Sequence, residues 1–150
     1  MKTNIITFNP DKENLLKAAF KIRTAVFIDG QKTDYEEEFD GLDGNCIHYL
    51  IFVDDIPAAC ARRRQTKEGH KLERFAVLKE HRGKALGAML IEEMLTQILP
   101  TDENIYLYAQ AVAEMFYEKY GFKRVANMFM ETNIEHYKMV YVENKKSDNL

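Results

Sequence analysis

Cysteine is scarce in this chain of 150 residues: Cys46 and Cys60 are the only two, and they stand in no C-x-x-C pair and no Cys/His spacing suited to zinc. Asp40, Asp43 and His48 have no metal-ligand spacing either, so no disulfide framework and no metal is expected, and the setting is read as reduced and cytoplasmic. Proline and glycine are few, at three and seven residues, and no low-complexity run occurs, which confines disorder to the ends. No apolar stretch approaches the ~20 residues of a membrane span, and the opening MKTNIITFNPDKENLL lacks the apolar core and cleavage-like site of a leader. No membrane partner is expected. Positive charge is not in excess: a net charge of −3 gives no general attraction to nucleic acid, so any polyanion site must be a local patch.

What the chain does contain is the apolar content of a folded protein, 46% hydrophobic against 30% charged, over a length that buries one core comfortably and two poorly. We read residues 1–150 as a single domain with a polar, fraying tail over 143–150. TNIITF reads as a strand. Asn9-Pro10-Asp11 offers a cap, a first-turn proline and an acidic first turn, which predicts a helix from Pro10 to about Phe27 with the stripe Leu15, Ala19, Ile22, Val26 and with Gly30 just beyond it. Residues 34–43 are acidic and irregular, a loop or short helix. IHYLIFV, IPAACAR and KLERFAVL read as three hairpin-linked strands turning at Asp54-Asp55 and at Lys67-Glu68-Gly69.

Leu86, Leu90, Ile91, Met94, Leu95 and Ile98 trace one face of a helix that Pro100 cannot continue. NIYLYAQ alternates as a strand, AVAEMFYEKY is helical up to Gly121, and FKRVA and IEHYKMVYV read as closing strands. The class is α+β, with a mostly antiparallel sheet in which the strand, helix, strand crossing from Leu72 to Tyr108 makes one parallel pair.

EHRGKALGAML sets a basic, glycine-containing turn against the start of that central helix. It is not a Walker loop, because Gly83-Lys84 runs into Ala85 and the earlier glycine is missing; nor is it a dinucleotide fingerprint, since only Gly83 and Gly87 are present. Two readings of the turn remain: free N–H groups and a positive dipole end that hold phosphate, or small residues that let the helix pack closely while Arg82 and Lys84 stay solvated.

A resemblance separates them. ERFAVLKEHRGKALGAMLIEEML resembles the acetyl-CoA-binding motif of the GNAT superfamily of N-acetyltransferases, Gln/Arg-x-x-Gly-x-Gly/Ala, with Arg82, Ala85 and Gly87 at its defining positions and Ala85 standing where glycine is usual. YAQAVAEMFYEKYGF is similar to a second signature of that superfamily, ending in FYxxxGF. IRTAVFIDGQ, EEEFDGLDGNCIHYL and IEHYKM look like its ElaA-like branch, which usually carries Glu where this chain has Gly30.

The resemblance implies a GNAT fold: a mixed, mostly antiparallel sheet flanked by helices, whose parallel strands splay to form an acyl-CoA groove between ERFAV and IYLYAQ. Acetyl-CoA is the implied co-substrate. Arg82, Gly83, Lys84, Ala85, Leu86, Gly87 and Ala88 would seat its pyrophosphate, and Phe75, Ala76 and Val77 would pair with pantetheine, Val77 N–H polarising the thioester carbonyl. Tyr117 matches the general-acid tyrosine, and Gln110 is a groove-side hydrogen bonder. The base is open among Glu73, His48 and a water chain.

Arg23 either faces the acceptor pocket or anchors the acidic segment, which itself either attracts a cationic amine or is a solvated loop. Strand alternation sends Arg62 and Arg64 to one side and Arg63 to the other, toward an anionic substrate group or toward solvent. The implied activity is direct acetyl transfer, in a ternary complex, to a primary amine of a small molecule or peptide. The alternative is a non-catalytic acyl-CoA-binding sensor. A nucleic-acid partner is not expected, and the sequence leaves open whether the chain forms a homodimer.

Overall fold

The computed structural model describes residues 1–142, so the tail 143–150, expected to fray, lies outside the described residues. Strands β1 (Thr3–Phe8), β2 (Ile47–Val53), β3 (Ile56–Thr66), β4 (Gly69–Val77), β5 (Asn104–Gln110), β6 (Phe122–Arg124), β7 (Phe129–Glu131) and β8 (Ile134–Tyr141) form one sheet. Its order is β1-β2-β3-β4-β5-β8-β6, with β7 also paired to β8. Every neighbouring pair is antiparallel except β4 and β5, as the crossover required.

Alternation along the strands builds two cores. On β2, Leu50 turns toward helix α1 (Glu13–Arg23) and packs with Phe8, Ala19, Ile22, Cys60 and Ala76. Tyr49, Ile51 and Val53 turn the other way and meet the stripe of helix α3 (Leu86–Ile98), where Leu90, Ile91 and Met94 are fully buried. Two shorter α-helices lie among the described residues, α2 (Tyr35–Glu38) in the acidic segment and α4 (Glu114–Glu118) beyond β5.

Three local expectations change. Asn9-Pro10-Asp11 does not open the first helix: the Asn9 carbonyl accepts from Lys12 N–H at 3.1 Å, closing a turn with Pro10 at its second position, and α1 starts at Glu13. Past Arg23 the helix widens into a π-helical segment, Thr24–Gly30, so Gly30 is inside the helix rather than beyond it. The helix read over AVAEMFYEKY is shorter, with α4 preceded by a 3-10 turn at Ala111–Ala113. Strand β7 was not foreseen. It has three residues, too few for an alternating pattern, and its hairpin turns on Thr132 and Asn133 (φ 51° and 62°) without a glycine.

The feature that positions the site is the parallel pair. β4 and β5 pair only at Gly69↔Asn104, His70↔Ile105 and Lys71↔Tyr106, and then diverge. At the apex a Cβ on Gly69 would lie 2.2 Å from the Asn104 carbonyl oxygen, and its φ of 133° suits glycine alone. Opposite the divergence, the β3–β4 register slips between Cys60↔Ala76 and Arg62↔Glu73, leaving one extra residue on β4 near Arg74, which takes φ 60°. Such a bulge bends its strand, here away from β5. The wedge therefore rests on one close backbone approach and one bulge. Gly69→Ala is expected to lower stability by about 2–4 kcal/mol, from backbone strain plus the forced separation, as read by urea denaturation.

Candidate active site

The wall of the wedge is charged because β3 and β4 place Arg62, Arg64, Lys71 and Glu73 beside one another. Glu73 Oε2 accepts from Arg62 Nε and Arg64 Nε, both at 2.8 Å, and Lys71 Nζ is 3.4 Å from Glu73 Oε1. Arg62 reaches on to the acidic segment, donating to Asp43 Oδ1 (2.8 Å) and Asp40 Oδ2 (2.8 Å). Arg23 completes the set from α1, with Nε on Glu38 Oε2 (2.7 Å), Nη1 on Asp43 Oδ1 (2.6 Å) and its guanidinium carbon 4.7 Å from the Phe39 ring centre. Arg74, turned by the bulge, contacts Glu38 Oε2 at 3.2 Å and Asp40 Oδ2 at 3.2 Å.

Arg23 and Arg62 are 2% and 1% exposed, so both guanidinium groups are held away from water and their burial is offset by the carboxylates that pair with them. Burial alone would raise the carboxylates, but the hydrogen bonds and charge of Arg62 outweigh it and hold Asp40 at about 2. Asp43 and Glu73 are lowered in the same balance, through Arg23 and Arg62 for the first and through Arg62, Arg64 and Lys71 for the second. The acidic segment is thus clamped to the sheet, which corrects the solvated-loop reading for Glu38, Asp40 and Asp43. Arg23 anchors that segment and is not among the residues that line the cleft between the strands. Arg63 points to the opposite face, as alternation required, where its Nε donates to the Tyr49 hydroxyl at 2.7 Å.

Between the diverging strands opens a cleft of about 600 Å³. Of the sequence-predicted residues, Phe75, Val77, Arg82, Gln110, Tyr117 and Glu73 line it. Leu78 N–H donates to the Ala58 carbonyl on β3 at 2.9 Å, and alternation then turns the Val77 N–H the other way, into the cleft. Ala76 does the opposite: it pairs with Cys60 and buries its methyl group in the α1-side core. Tyr117 sits against Phe75 (ring centres 5.7 Å), and burial pushes its hydroxyl up, which keeps it protonated at neutral pH. No buried side-chain polar atom lacks a partner among the described residues, so the Tyr117 hydroxyl, which has no protein partner, opens to the cleft.

At the cleft's end the basic turn leads into α3. The first helical bond runs from Met89 N–H to the Ala85 carbonyl, so the N–H groups of Leu86, Gly87 and Ala88 have no acceptor within the helix. Gly83 (φ 81°) and Ala85 (φ 61°) both take the left-handed conformation; at Ala85 this costs about 1 kcal/mol relative to an unstrained residue. Gly87 serves packing as well, since a Cβ there would lie 3.3 Å from Phe116 Cζ. Lys84 leans back on His81, Nζ to Nδ1 3.0 Å.

His48 lies elsewhere. It is 1% exposed, its Nε2 is 2.9 Å from the Asp43 carbonyl oxygen, its ring stacks on Phe8, and it does not line the cleft. Burial lowers it below the ordinary histidine value despite that hydrogen bond. Sequence reasoning missed several cleft residues: Gln31, whose side-chain amide exchanges hydrogen bonds with that of Gln110 (3.0 and 3.4 Å), Tyr108 beneath Lys71 (Nζ to ring centre 4.1 Å), and His136. Alternation from Gln110 would have found Tyr108; His136 needs the β5–β8 register, Gln110↔His136, which no local pattern carries.

A sheet with this order and a splayed parallel pair has known counterparts. The sequence model of the acetyltransferase (GNAT) domain matches residues 15–143. The chain belongs to the GNAT acetyltransferase family. It is 32% identical over 131 residues to YjcF, an uncharacterized N-acetyltransferase of Bacillus subtilis (strain 168), covering 85% of this chain and 93% of that one. Protein ElaA of Escherichia coli (strain K12) is 31% identical over 128 residues, 81% of this chain and 83% of ElaA.

The crystal structure of an acyl-CoA N-acyltransferase from Pseudomonas aeruginosa superposes with a TM-score of 0.84 at 29% identity, covering 94% of this chain and all of that one. That of E. coli ElaA gives 0.83 at 28%, again over 94% of this chain. These likenesses support the ElaA-like branch and establish the GNAT N-acyltransferase fold. Among the described residues no helix is long and apolar enough to cross a membrane, and no group of three or more His, Cys, Asp or Glu is arranged to hold a metal ion.

The clamp makes two measurable demands. Arg62→Met leaves Asp43 and Glu73 buried with fewer partners and is expected to cost about 3–5 kcal/mol in urea denaturation. Asp40, Asp43 and Glu73 ionise more readily folded than unfolded, so their contribution is complete above about pH 5 and is lost as pH falls toward the folded value of about 2 for Asp40. Stability should fall across that window, and in Arg62→Met it should fall less steeply.

Proposed function

We propose that this GNAT protein transfers the acetyl group of acetyl-CoA directly to a primary amine of a small molecule or peptide, with both substrates bound at once. The observation that carries this reading is the wedge itself, which presents the Val77 N–H and the Tyr117 hydroxyl to one cleft. The free N–H groups of Leu86, Gly87 and Ala88, with Arg82 beside them, suit a pyrophosphate. Past Lys71, the β5-facing edge of β4 has no strand partner and is available to pantetheine amides.

In that pose the thioester oxygen meets the Val77 N–H, a donor aimed where negative charge develops in the transition state. The acceptor amine enters from the opposite face of the sheet, past Gln31 and Gln110, so the wedge holds both reactants in line. Tyr117, protonated through burial, gives its proton to the departing thiolate. Glu73 serves the clamp: a carboxylate shared by Arg62, Arg64 and Lys71 and lowered by them is a weak proton acceptor.

Thiol release from acetyl-CoA across a panel of primary amines tests the reading. At least one amine should accelerate release, and Tyr117→Phe should lower kcat about 10²-fold while acetyl-CoA affinity changes by less than about threefold. Tight CoA binding with no turnover on any amine would instead support an acyl-CoA sensor.

A further inference from the structure

The transfer proposed above needs a group that takes a proton from the acceptor ammonium, and the structure places one where the sequence did not show it. We propose that His136 is this general base. Of the four histidines in the chain, His136 is the one that lines the cleft. It stands on β8 between Gln110 of β5 and Phe129 of β7, cross-strand to both, and its side chain shares their face of the sheet.

Its orientation is fixed from two sides. The ring stacks on Phe129 (centres 5.7 Å, interplanar 28°), and Nδ1 lies 2.7 Å from the Ile134 carbonyl oxygen. A carbonyl only accepts, so Nδ1 carries the hydrogen and the neutral ring presents its lone pair at Nε2. Glu131 Oε2 is 4.0 Å from Nε2, beyond hydrogen-bond distance, and an ionised carboxylate only accepts, so the Nε2 lone pair stays open. Lys71 of β4 and Arg64 of β3 also line the cleft, but both are engaged with Glu73. Glu36 and Glu37 of α2 reach its rim as exposed carboxylates.

The proton count closes. The acceptor ammonium gives one proton to Nε2, directly or through one water, and the imidazolium releases it to solvent. The amine lone pair then forms the C–N bond, collapse breaks the C–S bond, sulfur takes the Tyr117 proton, and Tyr117 regains one from the nitrogen. The products are the N-acetyl amide, CoA thiol and one released proton.

This proposal rests on the transferase reading, and its test separates the two. Long-range proton–nitrogen NMR of the full chain should show the neutral His136 ring protonated at Nδ1. With the most active amine among glycine, a glycine-terminated tripeptide, glucosamine and 1,4-diaminobutane, His136→Gln should lower kcat/KM at neutral pH about 10²-fold and remove the acid limb of its pH profile. Acetyl-CoA affinity should stay within about twofold, and added imidazole should restore part of the rate. An Nε2–H tautomer overturns the proposal without any variant having to fold. So does a variant within about threefold of wild type, or one that loses activity with its acid limb intact. Wild-type protein that turns over none of these amines overturns the transferase reading, and this one with it.

Discussion

The guanidinium of Arg62 is the interaction on which the rest of the site depends. It bonds at once to Glu73 on the neighbouring strand and to Asp40 and Asp43 on a segment that has no strand of its own. Beyond this bonding and that of Arg23 and Arg74, residues 34–45 have little regular structure to hold them: α2 is a single turn, and Glu36 and Glu37 face water. Clamped in this way, that segment becomes one side of the cleft. Arg23 and Arg74 grip the same carboxylates from α1 and from the β4 bulge, so three separate parts of the chain are tied at one buried ionic knot. Such a knot adds little net stability compared with an apolar core, but it tolerates no missing member.

The sheet divides the chemistry between its faces. Helices α3 and α4 bring the turn at Arg82 and the Tyr117 ring from one side, while α1, its π-helical extension and the clamped acidic segment shape the other. An ordinary sheet would keep these faces apart. Here the strands separate after Lys71 and Tyr106, and the gap opens one face toward the other. The bulge at Arg74 and the glycine at position 69 are the two local departures from regular strand geometry that make the gap.

Much of the fold was legible because its elements carry strong periodicity: the α3 stripe and the alternation of β2 and β5 leave few alternatives. The first helix was misplaced at its start because Asn-Pro-Asp is as good a turn as it is a cap, and only tertiary contacts decide. The basic turn before α3 and Tyr117 stood out through the family pattern. The ionic knot was not, since Asp40 and Asp43 look like a solvated run until they meet an arginine about 20 positions away. His136 was hidden for a related reason. Its importance lies in a ring nitrogen fixed by a backbone carbonyl and in a strand register, neither of which leaves a mark on local composition.

The close approach of Gly69 to Asn104 has one more consequence. The angle at which the two strands part is set by main-chain atoms at that apex. The part of the slot nearest that apex is lined by Leu72 and Leu107, the first residues past the paired stretch, which are 1% and 2% exposed. Main-chain opening and side-chain lining are thus written in different positions of the chain. A change of side chain at the leucines alters the space near the apex while the main-chain contact between Gly69 and Asn104 is kept.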